Sequence, residues 1–277
     1  MKNITVEELR EKAKELRITA INMIYEAKSG HPGGALSSAD LIAALYFKEM
    51  NVDPQNPRWE DRDRFILSKG HVCPIQYSAL AMRGFFPWDT VHTLRREGSI
   101  LQGHPDMKKC PGIDISTGSL GQGLSCGVGM ALAAKRDKKD YRVFVLVGDG
   151  ECQEGQIWEA AQTAVKYGLD NTVVFIDDNG LQCDGSCDDI MPTGNLEKKF
   201  EAFGFETCRI DGHNMQEIAD TLDRIRENRN EKPFCVVMDT IKGKGVSYME
   251  NIAGWHGMAP NDEEYRIAIS ELEGGLE

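Results

Sequence analysis

The chain has 277 residues, of which 41% are hydrophobic and 27% charged, a composition typical of a folded globular protein. Its 32 Lys and Arg against 44 Asp and Glu give a formal net charge of −12, which disfavours nucleic acid and anionic membranes as partners. No apolar run approaches the roughly 20 residues that span a bilayer, and the charged N-terminus lacks the apolar stretch of a secretory signal. We therefore expect a cytoplasmic protein.

Helical and strand patterns alternate along the chain. A capping box of Thr5 and Glu8 predicts a first helix that ends near Gly30, and a second helix is predicted from a Ser37/Ser38 cap to Met50. The other predicted helices cover residues 74–84, 120–136, 156–167, 196–203, 214–228 and an acidic terminal segment, 261–277. The predicted strands cover residues 64–68, 141–147, 172–177, 206–210 and 233–240. Strands separated by helices pair in parallel, so we predict one doubly wound α/β domain over residues 1–277, with a mostly parallel sheet flanked by helices.

The helix predicted at 120–136 is rich in glycine. It contains Gly121, Gly123, Gly127 and Gly129, and each glycine inside a helix costs about 1 kcal/mol. So many on one segment predict that another backbone packs very close to it, either within this chain or at a subunit interface.

Two turns follow the strongest predicted strands and carry polar groups. Gly148-Asp149-Gly150 follows the first strand, and Asn179 and Leu181 follow the second. Neighbouring parallel strands bring such turns together, and three protein oxygens suit Mg²⁺, which takes its remaining ligands from phosphates and water. A helix cap at Asp149 and a left-handed turn at Asn179 are the alternatives for each residue alone. A nicotinamide fingerprint fits less well, because Asp149 would face a pyrophosphate in the middle of the turn.

Histidines give the second signal. Four of the six lie in stiff loops flanked by glycine or proline: His31, His71, His104 and His256. Together they predict a polar cleft that binds hydroxyl groups and moves protons. The other two, His92 and His213, are interpreted as surface or capping residues. Zinc is disfavoured, because the eight cysteines are scattered without a CxxC pair and are expected to be reduced thiols.

These motifs together carry a family resemblance. The chain resembles the N-terminal, diphosphate-binding half of transketolase, a thiamine diphosphate enzyme. Six motifs carry the resemblance, in the same order and over about residues 28–257: KSGHPG from Lys28, LSKGH from Leu67, GHP from Gly103, STGSLGQG from Ser116, GDG from Gly148 with Asn179 downstream, and WHG from Trp255. The Asp-Asp-Asn before Gly180 departs mildly from the double-Asn form of the family motif.

The resemblance implies a role for each site residue. Asp149, Asn179 and the Leu181 carbonyl would bind Mg²⁺, or Ca²⁺ or Mn²⁺ in its place. The cofactor-binding residues implied are His71 and Gly150 at the diphosphate with His256 nearby, Gly118 and Leu120 at the aminopyrimidine, and Glu154 in a carboxylate network between paired subunits. His31, His104 and His256 would be catalytic and would handle the hydroxyls and protons of the sugar.

The resemblance also implies a partner. Full-length transketolases continue with a pyrimidine-binding domain and a C-terminal domain, which this sequence lacks. We therefore expect a separate C-terminal subunit, self-association with two copies of each half, sugar phosphate substrates, and a reaction of the pentose phosphate pathway. Two alternatives stay open: a related ketol transfer like that of dihydroxyacetone synthase or deoxyxylulose-phosphate synthase, and a non-catalytic binding subunit of the same fold.

Overall fold

The computed structural model describes residues 4–227 and 230–274. Within these ranges, five strands form one sheet in the order β1-β2-β3-β5-β4, and every pair is parallel. The strands are β1 (Arg64–Leu67), β2 (Val143–Gly148), β3 (Thr172–Asp178), β4 (Glu206–Asp211) and β5 (Phe234–Asp239). The α-helices are α1 (Val6–Ala27), α2 (Pro32–Ser37), α3 (Ala39–Ala44), α4 (Cys73–Met82), α5 (Gln122–Arg136), α6 (Gly155–Lys166), α7 (Cys187–Ile190), α8 (Leu196–Phe203), α9 (Met215–Glu227) and α10 (Asp262–Gly274).

Short helical turns complete the secondary structure. A π-helical turn covers Leu45–Glu49, and 3₁₀ turns cover Gly70–Val72, Trp88–Thr93, Gly150–Gln153 and Ala253–His256. Three of these 3₁₀ turns contain residues predicted for the site: Gly70–Val72, Gly150–Gln153 and Ala253–His256. Within residues 4–227 and 230–274, none of the helices has the length and apolar character needed to cross a membrane.

The sheet carries an apolar core on each face. Phe144 and Leu146 of β2 point to the layer that contains α1, α3, α4 and α9, whereas Val145 and Val147 point to the layer that contains α5, α6 and α8. Both sets are fully buried, as expected for a central strand of a parallel sheet. The predicted fold class is confirmed, and each predicted strand is present within two residues of its predicted bounds.

The second predicted helix is present, because α3 starts at Ala39, directly after Ser38, and continues as a helical turn to Glu49. A short helix that the sequence did not predict, α2, precedes it from Pro32, and proline is favoured in this first position. The predicted capping interaction is wrong, because neither hydroxyl caps a helix: Ser38 donates to the Gly34 carbonyl at 2.7 Å, and Ser37 donates to Asp177 at 2.6 Å. The capping box of the first helix is confirmed. Residue 228 and residues 275–277, at the ends of two predicted helices, lie outside the described residues.

The glycines of α5 allow close packing inside this chain. A Cβ on Gly123 would lie 2.4 Å from Ser68 Oγ and 2.9 Å from Ser68 Cα, so the backbones of α5 and the loop after β1 nearly touch. A Cβ on Gly127 would lie 2.8 Å from a methyl carbon of Val145 on β2. Gly129 is exposed, and apart from its chain neighbours and the backbone of α5 none of the described residues lies within 4 Å of its Cβ position. The predicted close approach is therefore confirmed for Gly123, and its partner is the chain's own backbone.

This packing makes opposite predictions for two glycine-to-alanine substitutions on one helix. Gly123→Ala should lower the free energy of unfolding by about 1–3 kcal/mol, because the added methyl overpacks against Ser68. Gly129→Ala should raise it by roughly 0.5–1 kcal/mol, because alanine is the better helix former and the site is open. Urea unfolding of both variants and of the unsubstituted chain gives these values. Equal effects of the two substitutions would contradict the packing.

Candidate active site

Polar residues that follow four of the strands line one cavity of about 340 Å³. Lys69 follows β1, Asp149 follows β2, Asn179 follows β3 and Lys242 follows β5 by three residues. All four line the cavity, which lies at the edge where parallel sheets bind ligands. A larger cavity of about 740 Å³ lies between residues 56–62 and 107–114, and none of the predicted site residues lines it.

The two predicted turns are joined by the Asp149 carboxylate. One carboxylate oxygen accepts the Gly150 N–H at 2.7 Å, and the other accepts the Gly180 N–H at 2.7 Å. The side-chain oxygen of Asn179 accepts the Leu181 N–H at 3.2 Å, which fixes the second turn. Asp149 is only 3% exposed, and burial, reinforced by the nearby Asp177, raises its pKa to about 6. A cation beside this carboxylate would offset the free-energy cost of burying its negative charge.

The residues predicted to bind the cofactor and the metal come together. Those that line the cavity are His71, Gly118, Leu120, Asp149, Gly150, Glu154, Asn179, Leu181 and His256. The remaining two predicted residues, His31 and His104, lie beside it. The ring centroid of His31 is 5.1 Å from that of His71, 5.5 Å from that of His256 and 6.4 Å from that of His104.

The clustered imidazoles are uncharged near neutral pH. Burial lowers the pKa of His31 to about 4, with Arg95 and His104 contributing, and lowers that of His256 to about 4, with Lys242 contributing. Burial also lowers the pKa of His71 and, more weakly, that of His104. Neutral imidazoles accept as well as donate hydrogen bonds, and they accept protons. The Nδ1 of His31 is buried and has no hydrogen-bond partner among the described residues.

The other two histidines differ from each other. His92 is about half exposed and contacts Glu26 at 2.9 Å, as expected for a surface residue. The side chain of His213 is 12% exposed and bonded on both ring nitrogens, to Asp40 and to the Ile241 N–H. The interpretation of His213 as a surface or capping residue is therefore wrong. Its bonding partners are distant in sequence, which no local pattern reveals.

Two buried lysines were not singled out from the sequence. The Lys69 ammonium donates to Asp177, whose carboxylate also accepts from Ser37 and Thr240. Burial alone would raise the pKa of Asp177, but these partners hold it below its ordinary value. The Lys242 ammonium lies 3.2 Å from the Leu181 carbonyl oxygen. The position of each lysine just after a strand was the signal that could have found them.

Glu151 is a third functional group that the sequence analysis missed. Its carboxylate is 3% exposed and accepts from Ser68 Oγ, from the Gly121 N–H at 2.8 Å and from the Gly148 N–H at 3.1 Å. Burial raises its pKa, while these donors oppose the rise. Glu151 thereby holds together the loops after β1 and β2 and the start of α5. Glu151 lies in the turn after β2, between Gly148 and Glu154. An acidic residue in this glycine-containing turn is the sequence feature that could have identified it.

Comparisons with known proteins agree with this geometry. The family model of the transketolase thiamine diphosphate binding domain matches residues 9–273. The chain is 44% identical over 266 residues to a 6-deoxy-6-sulfo-D-fructose transketolase subunit of Clostridium sp. strain MSTE9, covering 96% of each chain. It is also 44% identical over 272 residues to an apulose-4-phosphate transketolase subunit of Phocaeicola vulgatus, covering 98% of this chain and 96% of that one.

Solved structures give the same result. The crystal structure of transketolase from Campylobacter jejuni superposes with a TM-score of 0.91 at 32% sequence identity. The match covers 98% of this chain but 43% of that one, so the chain spans less than half the length of this transketolase. The chain belongs to the transketolase family and corresponds to the N-terminal, thiamine diphosphate-binding part of its full-length members.

The Glu151 contacts predict a specific loss of stability. Glu151→Gln replaces an acceptor oxygen with an NH₂ group that faces backbone N–H donors, so it should lower the free energy of unfolding by about 1–3 kcal/mol. Glu154→Gln, three residues on and exposed, should change it by less than about 0.5 kcal/mol. Denaturant unfolding of both variants measures the difference. A Glu151→Gln chain as stable as the Glu154→Gln chain would contradict this account of the turn.

Proposed function

We propose that this chain is the N-terminal subunit of a thiamine diphosphate-dependent transketolase, which moves a two-carbon ketol unit from a ketose phosphate to an aldose phosphate. The observation that carries the proposal is the meeting of Asp149, Asn179 and Leu181 with two buried lysines in one cavity at the sheet edge. Family membership and the likeness to proteins named transketolase subunits support the same activity.

A divalent cation fits the donor set. Asp149 offers a carboxylate, Asn179 an amide oxygen and Leu181 a carbonyl oxygen, which are the ligand types that Mg²⁺ takes together with phosphates and water. The raised pKa of Asp149 supports this assignment, because a buried carboxylate needs positive charge beside it. In the described residues no group of three or more His, Cys, Asp or Glu side chains could hold a metal, so the proposed site depends on main-chain and amide oxygens.

An anionic diphosphate fits the same cavity. Lys69 and Lys242 line it and supply positive charge, and Gly150 also lines it. We assign His71, Gly150 and His256 to the diphosphate side, and Gly118 and Leu120 to the aminopyrimidine side. Bound there, thiamine diphosphate would supply a nucleophilic carbon and an electron sink for breaking the C–C bond of the ketose.

The histidine cluster would serve the sugar. We assign His31, His104 and His256 to hydrogen bonds with the substrate hydroxyls and to proton transfer at those hydroxyls. Their lowered pKa values keep the rings neutral near pH 7, so that each can form hydrogen bonds with substrate hydroxyls.

The proposed enzyme works with a second chain in the cytoplasm. The two relatives that are 44% identical are named as transketolase subunits and have nearly the length of this chain, whereas the Campylobacter jejuni transketolase is more than twice as long. We therefore assign the pyrimidine-binding domain to a separate C-terminal subunit, with two copies of each chain. Glu154, exposed at the cavity, would join the carboxylate network between subunits.

The substrate is a ketose with an anionic end group. Two relatives are named for their substrates, 6-deoxy-6-sulfo-D-fructose and apulose 4-phosphate. The first of these sugars carries a sulfonate and the second a phosphate. A ketol transfer of the dihydroxyacetone-synthase or deoxyxylulose-phosphate-synthase kind remains the alternative within the same chemistry. A non-catalytic binding subunit is disfavoured, because Asp149, Asn179 and the clustered histidines are all in place.

Calorimetry of cofactor binding tests the proposal. The full chain, mixed with its C-terminal subunit, should bind thiamine diphosphate only when Mg²⁺ is present. Asp149→Asn should weaken that binding about 100-fold or more, because even residues that only support a metal ligand are worth 10- to 100-fold. Asp188→Asn, which removes an exposed charge on α7, is the matched control and should bind like the unsubstituted chain.

Turnover completes the test. With fructose 6-phosphate, 6-deoxy-6-sulfo-D-fructose and apulose 4-phosphate as donors, the mixture should transfer ketol units and the chain alone should not. Robust turnover by the chain alone would refute the two-chain proposal. Metal-independent cofactor binding, or full affinity in the Asp149→Asn variant, would refute the metal assignment.

A further inference from the structure

We propose that His213 is a positioning residue, which sets the place of the Lys242 ammonium in the cavity by accepting a hydrogen bond from the Ile241 backbone. The inference rests on the proposed function in one respect: it assigns Lys242 to the anionic cofactor. His213 itself does not line the cavity and would not touch the cofactor.

His213 bonds on both sides of its ring. Nδ1 lies 2.8 Å from a carboxylate oxygen of Asp40, and Nε2 lies 2.8 Å from the Ile241 nitrogen. Because a backbone N–H only donates, Nε2 must carry the lone pair and Nδ1 the proton. The ring therefore bridges a buried carboxylate and a backbone amide, and its orientation is determined by both.

The carboxylate end of this bridge is firmly held. Asp40 is buried and forms an ion pair with Arg17, which is also buried and donates to the Leu36 carbonyl at 3.2 Å. Burial alone would raise the pKa of Asp40, but Arg17 and His213 hold it below its ordinary value, so Asp40 stays ionised. An ionised carboxylate keeps the proton of His213 on Nδ1.

The amide end belongs to the segment that carries Lys242. Lys242 is 2% exposed, and its Nζ lies 3.2 Å from the Leu181 oxygen, 3.1 Å from the Gln182 oxygen and 3.1 Å from His256 Nδ1. Ile241 is the residue directly before it. A shift of the Ile241 backbone would therefore move an ammonium group that contacts a predicted metal ligand and a predicted catalytic histidine.

The neighbouring residues leave this segment little freedom. Thr240 donates its N–H to the Asp178 carbonyl at 3.2 Å, and Gly243 donates its N–H to the Gly33 carbonyl at 2.9 Å. A Cβ on Gly212, next to His213, would lie 2.5 Å from Thr240 Cγ2, so the backbone before His213 packs directly against Thr240. The segment is thus bonded to other parts of the chain on either side of residue 241, and at residue 241 itself His213 accepts the N–H while the carbonyl accepts from the Lys244 N–H at 3.1 Å.

Two substitutions separate the two bonds of the ring. His213→Gln extends far enough to offer its side-chain oxygen at the Nε2 position, so it keeps the Ile241 acceptor and gives up Asp40. His213→Asn reaches only the Nδ1 position, so it keeps the Asp40 contact and gives up Ile241. Both are neutral and polar, which makes each the matched control of the other.

Amide exchange and cofactor affinity are the readouts. In the His213→Asn chain the Ile241 amide should exchange at least about tenfold faster, and the complex with the C-terminal subunit should bind thiamine diphosphate and Mg²⁺ about tenfold more weakly. In the His213→Gln chain both values should stay within about twofold of the unsubstituted chain. Melting temperatures without cofactor show whether either variant has lost general stability.

The outcomes are distinct. Equal exchange at Ile241 in the two variants would overturn the inference, as would parallel losses of affinity and melting temperature in both, since a purely structural role predicts those results. If the unsubstituted complex fails to bind thiamine diphosphate, the proposed function falls. The Ile241 exchange rates still decide in that case whether His213 holds the segment.

Discussion

The hydrogen bond from the Gly180 N–H to the Asp149 carboxylate is the contact on which the site depends. It joins the turn after β2 to the turn after β3 at 2.7 Å. The strands make this contact possible, because β2 and β3 pair in parallel with Gly148 opposite Asp177, so both turns leave the sheet at one level. A shift in register would separate the turns and remove the cavity wall.

The second constraint is electrostatic. The chain has a formal net charge of −12, yet its cavity contains the buried ammonium groups of Lys69 and Lys242. Lys69 is neutralised by Asp177, whereas the hydrogen-bond partners of Lys242 in the described part of the chain are neutral acceptors. Burying a charge without a counter-ion is costly, so the positive charge of Lys242 is consistent with a site shaped for an anion.

The sequence predicted those features that depend on local patterns. The continuous apolar strands, the glycine turns after them and the capping box of α1 were all found, and the rule for parallel sheets then brought Asp149 and Asn179 together. Features fixed by distant partners were missed. A local pattern does not reveal that Ser37 donates to Asp177, 140 positions away, or that His213 bonds to Asp40, 173 positions away.

A crystal structure with thiamine diphosphate and Mn²⁺ tests the central claim most directly, because the anomalous signal of Mn²⁺ locates the metal without ambiguity. The complex of this chain with its C-terminal subunit should contain the metal between the two turns, roughly 2.1 Å from oxygens of Asp149, Asn179 and Leu181, with the diphosphate on its open side. A metal bound elsewhere, or a diphosphate bound away from these turns, would contradict the account.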